Sequence, residues 1–289
     1  MPEGLKSSEQ RNHLIVQTSL RLFDTVKECV ITMVQMRSVA GNPEGNIRTI
    51  ERFVNNNPDS DIICFPEMCL SGYSTVSPER YALGSDDDFV QRIYDIARSS
   101  KKTIVFGYIE RSEGNLYLRQ EIVGRLGIIG YYRKSHLGIK ESELFSAGNE
   151  LPVFDADGVC IGIHLCTESH IPEISRTFRS KGAELILIPF ANGISSQRRK
   201  EVWHSYLPAR ASDNGLYVAG CSAVGDNGQG SVFGGGLIIL DPKGNVITEY
   251  YGDDEHSISA GIGGKLPRDG PETMMNISYF DRRRLELYR

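Results

Sequence analysis

VCIGIHLCTESHIPEISRTFRSKGAELILIPFA, residues 159–191, holds two kinds of pattern in one stretch. VCIGIHLC (159–166) and ELILIPFA (184–191) are short runs rich in Ile and Val, the composition of buried strands. Between them, PEISRTFRSKGA (172–183) opens on a proline, a good first-turn residue, and closes on Gly182, a helix-stop signal. Strand, helix, strand in so short a span argues for an α/β fold.

The same alternation extends both ways. Upstream lie the strand-like runs CVITMVQM (29–36), DIICFP (61–66) and TIVFGYIE (103–110). Between them, NIRTIERFV (46–54) and DFVQRIYDIARS (88–99) place apolar residues three and four apart, as a helix with one buried face requires. Downstream come QRRKEVWHSYLPARASDNG (197–215), read as a longer helix interrupted near Pro208, and the runs 216–224 and 235–241. Asp157-Gly158 and Pro242-Lys243-Gly244-Asn245 look like hairpin turns, so some neighbouring strands are antiparallel and the sheets are mixed. No linker divides the chain. The expected organisation is an extension over residues 1–25 and one domain over 26–289, with a C-terminal arm from about residue 265.

Composition excludes several function classes. The 289 residues are 40% hydrophobic and 24% charged, ordinary for a globular protein with a sizeable core. The formal net charge of -5 lacks the basic excess of a nucleic-acid binder. No apolar run reaches the roughly 18 residues needed to span a membrane, and the N-terminus lacks a signal-peptide pattern, so the cytoplasm is the expected compartment. Of the six cysteines, most sit inside apolar runs. All except Cys166 are expected to be buried, reduced thiols.

Three strand ends carry reactive side chains: Glu67 in FPEMCLSGY, Lys134 in YYRKSHLG and Cys166 in HLCTESHIPE. Residues just beyond strand ends line the ligand crevice of α/β folds. A carboxylate, an amine and a thiol gathered there suit acyl transfer: the carboxylate takes the thiol proton, the thiolate attacks, and the ammonium stabilises the oxyanion. Taken singly, each has a bland alternative as a loop charge, a solvated basic face or a core thiol.

Their surroundings resemble the carbon–nitrogen hydrolase family, also called the nitrilase superfamily, from about Cys29 to the C-terminus. The elements that carry the resemblance are FPEMCLSGY, YRKSHL, ESELFSAG (141–148), CTESHIPE, ARASDNG and DRRRLELY, in the family's order and spacing. The resemblance implies a four-layer αββα sandwich with two mixed β-sheets. It also implies a Glu67–Lys134–Cys166 triad, with Glu141 (or its neighbour Glu143) as a second carboxylate and the Thr167 N–H beside Lys134 in the oxyanion hole. The reaction implied is hydrolysis of a small amide or N-carbamoyl compound through a thioester, with no cofactor and no metal. Nitrile hydrolysis by the same triad, or a non-catalytic amide- or partner-binding role, are the alternatives. Family members usually form homodimers, so a homodimer or higher homo-oligomer is expected. Thr167, Glu168 and His170 depart from the residues most frequent at these places and are expected near the substrate; Tyr73 and Phe190 are candidates for the pocket wall, or for the core.

Two further patterns point elsewhere and are set aside. His164, Cys166, Glu168 and His170 alternate, which on a strand would put all four on one face, as in a metal site. Zinc ligands usually come from more than one element, and Pro172 ends the strand soon after. GDNGQGSVFGGG (225–236) lacks the Gly-Lys-Ser/Thr ending of a phosphate loop, so a turn or a close backbone passage is expected.

Overall fold

The computed structural model describes residues 28–263 and 280–288. The expected extension, and residues 264–279 of the expected arm, lie outside the described residues. Fourteen strands are described: β1 (Cys29–Gln35), β2 (Ile62–Cys64), β3 (Thr103–Ser112), β4 (Asn115–Gly124), β5 (Gly127–Arg133), β6 (Val153–Ala156), β7 (Val159–Ile163), β8 (Leu185–Phe190), β9 (Tyr217–Ser222), β10 (Val224–Asp226), β11 (Val232–Gly234), β12 (Leu237–Leu240), β13 (Val246–Tyr250) and β14 (His256–Ile262). The α-helices are α1 (Pro43–Asn56), α2 (Asp88–Ser100), α3 (Pro172–Ser180) and α4 (Ser196–Ser212).

Two six-stranded sheets run β14-β1-β2-β3-β4-β5 and β13-β12-β9-β8-β7-β6, with β10-β11 as a separate ribbon. Each has a parallel centre, β1-β2-β3 in one and β7-β8-β9 in the other, flanked by antiparallel strands. The turn at Asp157-Gly158 joins β6 to β7, and the Asp241–Asn245 turn joins β12 to β13, as expected. Strand β5 shows only as the short apolar run before Lys134, and β4 and β14 are not legible as runs: Arg119, Gln120 and Glu121 interrupt β4 although buried, and β14 is Ser- and Gly-rich and partly exposed.

Strand alternation builds the layers. Ile31 and Met33, Ile62 and Cys64, and Val105 point inward and meet Ile161, Ile163, Leu185, Leu187, Ala219, Cys221 and Ile239 of the second sheet. The intervening residues point outward. Ile63, Phe65, Ile104 and Phe106 pack beneath α1 and α2, and Ile186, Ile188 and Val218 beneath α3 and α4. The result is the four-layer αββα sandwich expected from the resemblance.

Helix α4 corrects one expectation: it runs unbroken through Pro208. Proline removes a single main-chain bond there. The stripe Arg199, Trp203, Leu207 and Ala211, spaced four apart and buried, seats the helix on the second sheet on both sides of that gap.

Strands β3 to β5 also carry a buried charge network. Arg119 pairs with Glu110 and Glu121, both at 2.7 Å, and Arg133 pairs with Glu110 at 2.6 Å. The Tyr108 hydroxyl donates to Glu121 at 3.0 Å, and that of Tyr94 donates to the same carboxylate.

Candidate active site

Chain geometry delivers three charges to one place. Glu67 sits in the turn that leaves the parallel strand β2, with Met68 after it held in the left-handed region at φ 54°. Lys134 continues β5: its N–H donates to Leu118 O at 2.9 Å, and its own carbonyl accepts from Gly148 N at 2.8 Å. Glu141 starts a short 3-10 turn, and its Oε2 accepts from Gly138 N at 2.7 Å. All three are buried, Lys134 completely. Lys134 Nζ donates to Glu67 Oε1 and to Glu141 Oε1, each at 3.0 Å. Glu141, and not the exposed Glu143, therefore reaches the lysine.

The fourth member is Cys166, 5% exposed, where β7 gives way to a 3-10 turn over Cys166–His170. Its φ of 48° is a backbone conformation that costs a non-glycine residue about 1–3 kcal/mol and clusters at functional sites. Asn192, just past the end of β8, donates from Nδ2 to Cys166 Sγ at 3.5 Å. Arg199 in turn donates from Nη2 to Asn192 Oδ1 at 2.6 Å and to its main-chain O at 3.0 Å.

Electrostatics follow from burial and charge count. Burial, with Glu141 nearby, raises Glu67 to about 7 against the pull of Lys134. Burial alone would lower Lys134, but the Glu67, Cys166 and Glu141 charges outweigh it and hold the ammonium above its usual range. Burial, then the Glu67 charge, pushes the Cys166 thiol up to about 11, while Lys134 and Arg199 oppose the rise. Glu67 Oε2 is buried and has no hydrogen-bond partner among the described residues. A carboxylate near neutrality with a free oxygen, acting on a thiol beside an ammonium, can move a proton and stabilise an oxyanion.

The other expected site residues fall in different places. Thr167 is exposed on the turn after the thiol. Glu168 is fully buried and occupied: Oε1 accepts from Tyr132 Oη at 2.6 Å, Ser135 N and Oγ at 2.8 Å, and His136 N at 2.9 Å, and Oε2 accepts from Leu165 N at 2.7 Å. It ties the turn bearing Cys166 to the turn after Lys134, so its oxygens face protein where substrate contact was expected. His170 is exposed and stacks on Tyr206, ring centroids 4.3 Å apart. Tyr73 is half-buried, and burial together with the Glu141 and Glu67 charges raises its phenol. Phe190 is 2% exposed and packs on Trp203 at 4.8 Å, so it belongs to the core beneath α4.

His164 also leaves the alternating line of metal-ligand types. The strand ends at Ile163, and His164 turns into the core, where Ser175 Oγ lies 2.9 Å from Nε2 and burial lowers its pKa to about 4. Among the described residues, no group of three or more His, Cys, Asp or Glu side chains is placed to hold a metal ion. Nor is any helix among them long and apolar enough to cross a membrane. Of the remaining cysteines, Cys29, Cys64, Cys69 and Cys221 are buried and Cys160 is half-buried, all as thiols.

Sequence reading missed Asn192 and Arg199. Arg199 lies in QRRK, which looks like a solvated basic run, and its neighbours Arg198 and Lys200 are indeed exposed. The available signal was its place at the head of the four-residue stripe leading to Trp203.

Known proteins resemble this chain over most of its length. The carbon–nitrogen hydrolase family pattern matches residues 30–262. An (R)-stereoselective amidase of a Pseudomonas species is 30% identical over 226 residues, 78% of this chain and 81% of that protein. A 2-oxoglutaramate amidase of Bacillus subtilis (strain 168) is 30% identical over 266 residues, 89% of this chain and 98% of that protein. A solved mutant of the amidase from Nesterenkonia sp. AN1, which shows covalent addition of the acetamide moiety of fluoroacetamide at its active-site cysteine, superposes with a TM-score of 0.77 at 23% identity, covering 91% of this chain and 96% of that one. The chain belongs to the carbon–nitrogen hydrolase family.

Proposed function

We propose that this carbon–nitrogen hydrolase cleaves a small linear amide or N-carbamoyl compound, with Cys166 as nucleophile, Glu67 as proton carrier and Lys134 as oxyanion donor. One observation carries the assignment. Lys134 bridges two buried carboxylates, yet one oxygen of Glu67 has no hydrogen-bond partner among the described residues, and the Glu67 charge is felt at the Cys166 thiol. Most buried carboxylate oxygens are hydrogen-bonded, so an unpaired one beside an ion pair points to a further partner.

Glu67 takes the Cys166 proton as the sulfur attacks the carbonyl carbon and forms the C–S bond. Lys134 Nζ and the Thr167 N–H take the charge that develops on oxygen. The C–N bond breaks, Glu67 returns its proton to the leaving nitrogen, and ammonia or an amine departs. Glu67 next takes a proton from water, whose oxygen attacks the thioester carbon; C–S cleavage returns the proton to sulfur. Glu141 holds Lys134 in register. The amidase names of the two relatives that are 30% identical support an amide over a nitrile. A homodimer belongs to the same reading, supported by exposed Leu285 and Leu287 near the C-terminus.

A panel of short amides, N-carbamoyl amino acids and nitriles assayed for ammonia tests the reading. Ammonia from an amide or N-carbamoyl substrate, with the matching acid as product, is expected. Turnover confined to nitriles would overturn the substrate class, and no turnover across broad panels would favour a binding role.

A further inference from the structure

Among the described residues, Arg199 is a charge without a matching carboxylate. It is completely buried, and its Nε and Nη1 have no hydrogen-bond partner among those residues. Its guanidinium lies 5.8 Å from the Phe190 ring centroid and 5.2 Å from that of Trp203, an aromatic lining with no anion. Burial lowers its pKa to about 10, and the groups opposing that fall are Cys166, Tyr206 and Tyr251. An uncompensated buried cation is costly, and proteins keep one where an anion is to form.

Arg199 has donors only, so the atom of Asn192 facing it must be the oxygen. That settles the carboxamide orientation. Oδ1 takes the Arg199 N–H, and Nδ2 is left pointing at Cys166 Sγ. A donor aimed at sulfur favours the thiolate over the thiol. The backbone adds a second tie, because Arg199 also holds Asn192 O and so fixes the residue from both ends.

We propose that Asn192 and Arg199 form a second support for the Cys166 thiolate, separate from Lys134: Asn192 donates directly to the sulfur, and Arg199 is the positioning residue that orients Asn192 and places positive charge behind it. The inference rests on the Cys166 nucleophile reading. It concerns how the thiolate is held through attack and thioester breakdown, when sulfur leaves again as the thiolate. The charged and titratable groups acting on the thiol are Glu67 and Glu141, Lys134 and Arg199, with the phenols of Tyr73 and Tyr206 nearby.

The test is the pH dependence of iodoacetamide alkylation at Cys166, followed by peptide mass spectrometry, in the full chain and in Asn192→Leu, Asn192→Asp and Arg199→Met. Removing one hydrogen bond to a charged sulfur should move the alkylation midpoint upward by about one pH unit, a roughly tenfold slower reaction at neutral pH. Asn192→Asp, which sets an anion against the sulfur, should slow it further. Arg199→Met should shift the midpoint in the same direction, and kcat should fall more than KM rises. If Arg199→Met does not fold, the two Asn192 variants decide alone. An unchanged midpoint in Asn192→Leu with a raised KM would overturn the proposal and make Asn192 a substrate contact. A Cys166 that alkylates no faster than Cys160 in the unmodified chain would sink the nucleophile reading as well.

Discussion

Two buried charge clusters share one sheet and meet at adjacent residues, Arg133 in one and Lys134 in the other. In the first, Arg119 and Arg133 face Glu110 and Glu121, two cations for two carboxylates, with tyrosine hydroxyls filling further acceptor sites. In the second, one ammonium faces two carboxylates, and an oxygen of Glu67 has no hydrogen-bond partner among the described residues. Two cations matched to two carboxylates give a cluster little to do except hold strands in register. Burial, with a second carboxylate nearby, puts Glu67 at about 7 against the pull of Lys134, where a base can both take and return a proton at neutral pH. Strand alternation places Arg133 and Lys134 on different sides and so assigns neighbours to different tasks.

The comparison breaks hardest at the nucleophile. Cys166→Ala should lower ammonia release by roughly 10⁴-fold or more while the melting temperature stays near that of the unmodified chain; retained turnover would sink the mechanism. Next is Glu67→Gln, which keeps the shape beside Lys134 but cannot carry the proton. Turnover should fall about 10²–10⁴-fold. In the unmodified chain kcat/KM should climb as pH rises through about 7, since Glu67 must be ionised to act, and Glu67→Gln should flatten that climb. The stability sign is opposite. A carboxylate raised in the folded state favours folding at low pH and loses that contribution as pH passes from about 4.5 through about 7, so Glu67→Gln should gain melting temperature over the unmodified chain above pH 7.

Glu141→Gln should cost less, about 10–100-fold in kcat, because Lys134 keeps its bond to Glu67 and loses only half its support. The smallest effect on catalysis is expected in the balanced cluster. Arg119→Met leaves buried Glu121 without a cation and Glu110 with Arg133 alone, and should destabilise the fold by about 3–5 kcal/mol, read by denaturant unfolding. Turnover per folded molecule should stay near that of the unmodified chain. A large kcat loss in folded Arg119→Met would erase the distinction between the clusters.

How much of this was legible in sequence depends on how local the signal is. The parallel centre of each sheet shows itself in buried Ile- and Val-rich runs, and the hairpins in Asp-Gly and Lys-Gly-Asn turns. The half-exposed strands β5 and β14, and β4 with its buried polar residues, lack that composition and take their form from their neighbours. Glu67, Lys134 and Cys166 sit in dense local motifs at strand ends, and the fold brings Glu67 and Lys134 into contact and Cys166 within range of their charges. Glu168 reads in the motif as a substrate neighbour, yet its partners come from Tyr132, Ser135 and His136, more than thirty residues away, and that pairing exists only after folding. Asn192 and Arg199 follow the same rule. Their importance lies in a chain of contacts to Cys166, and nothing in ANGISSQRRK announces it.

The most direct test of the central claim is mass spectrometry of enzyme quenched in acid during turnover of a short amide. The expected result is an acyl adduct of the substrate's mass on the peptide holding Cys166, accumulating within the first turnover and absent in Cys166→Ala. Ammonia release with no adduct on that peptide, and with Cys166→Ala still active, would contradict the account.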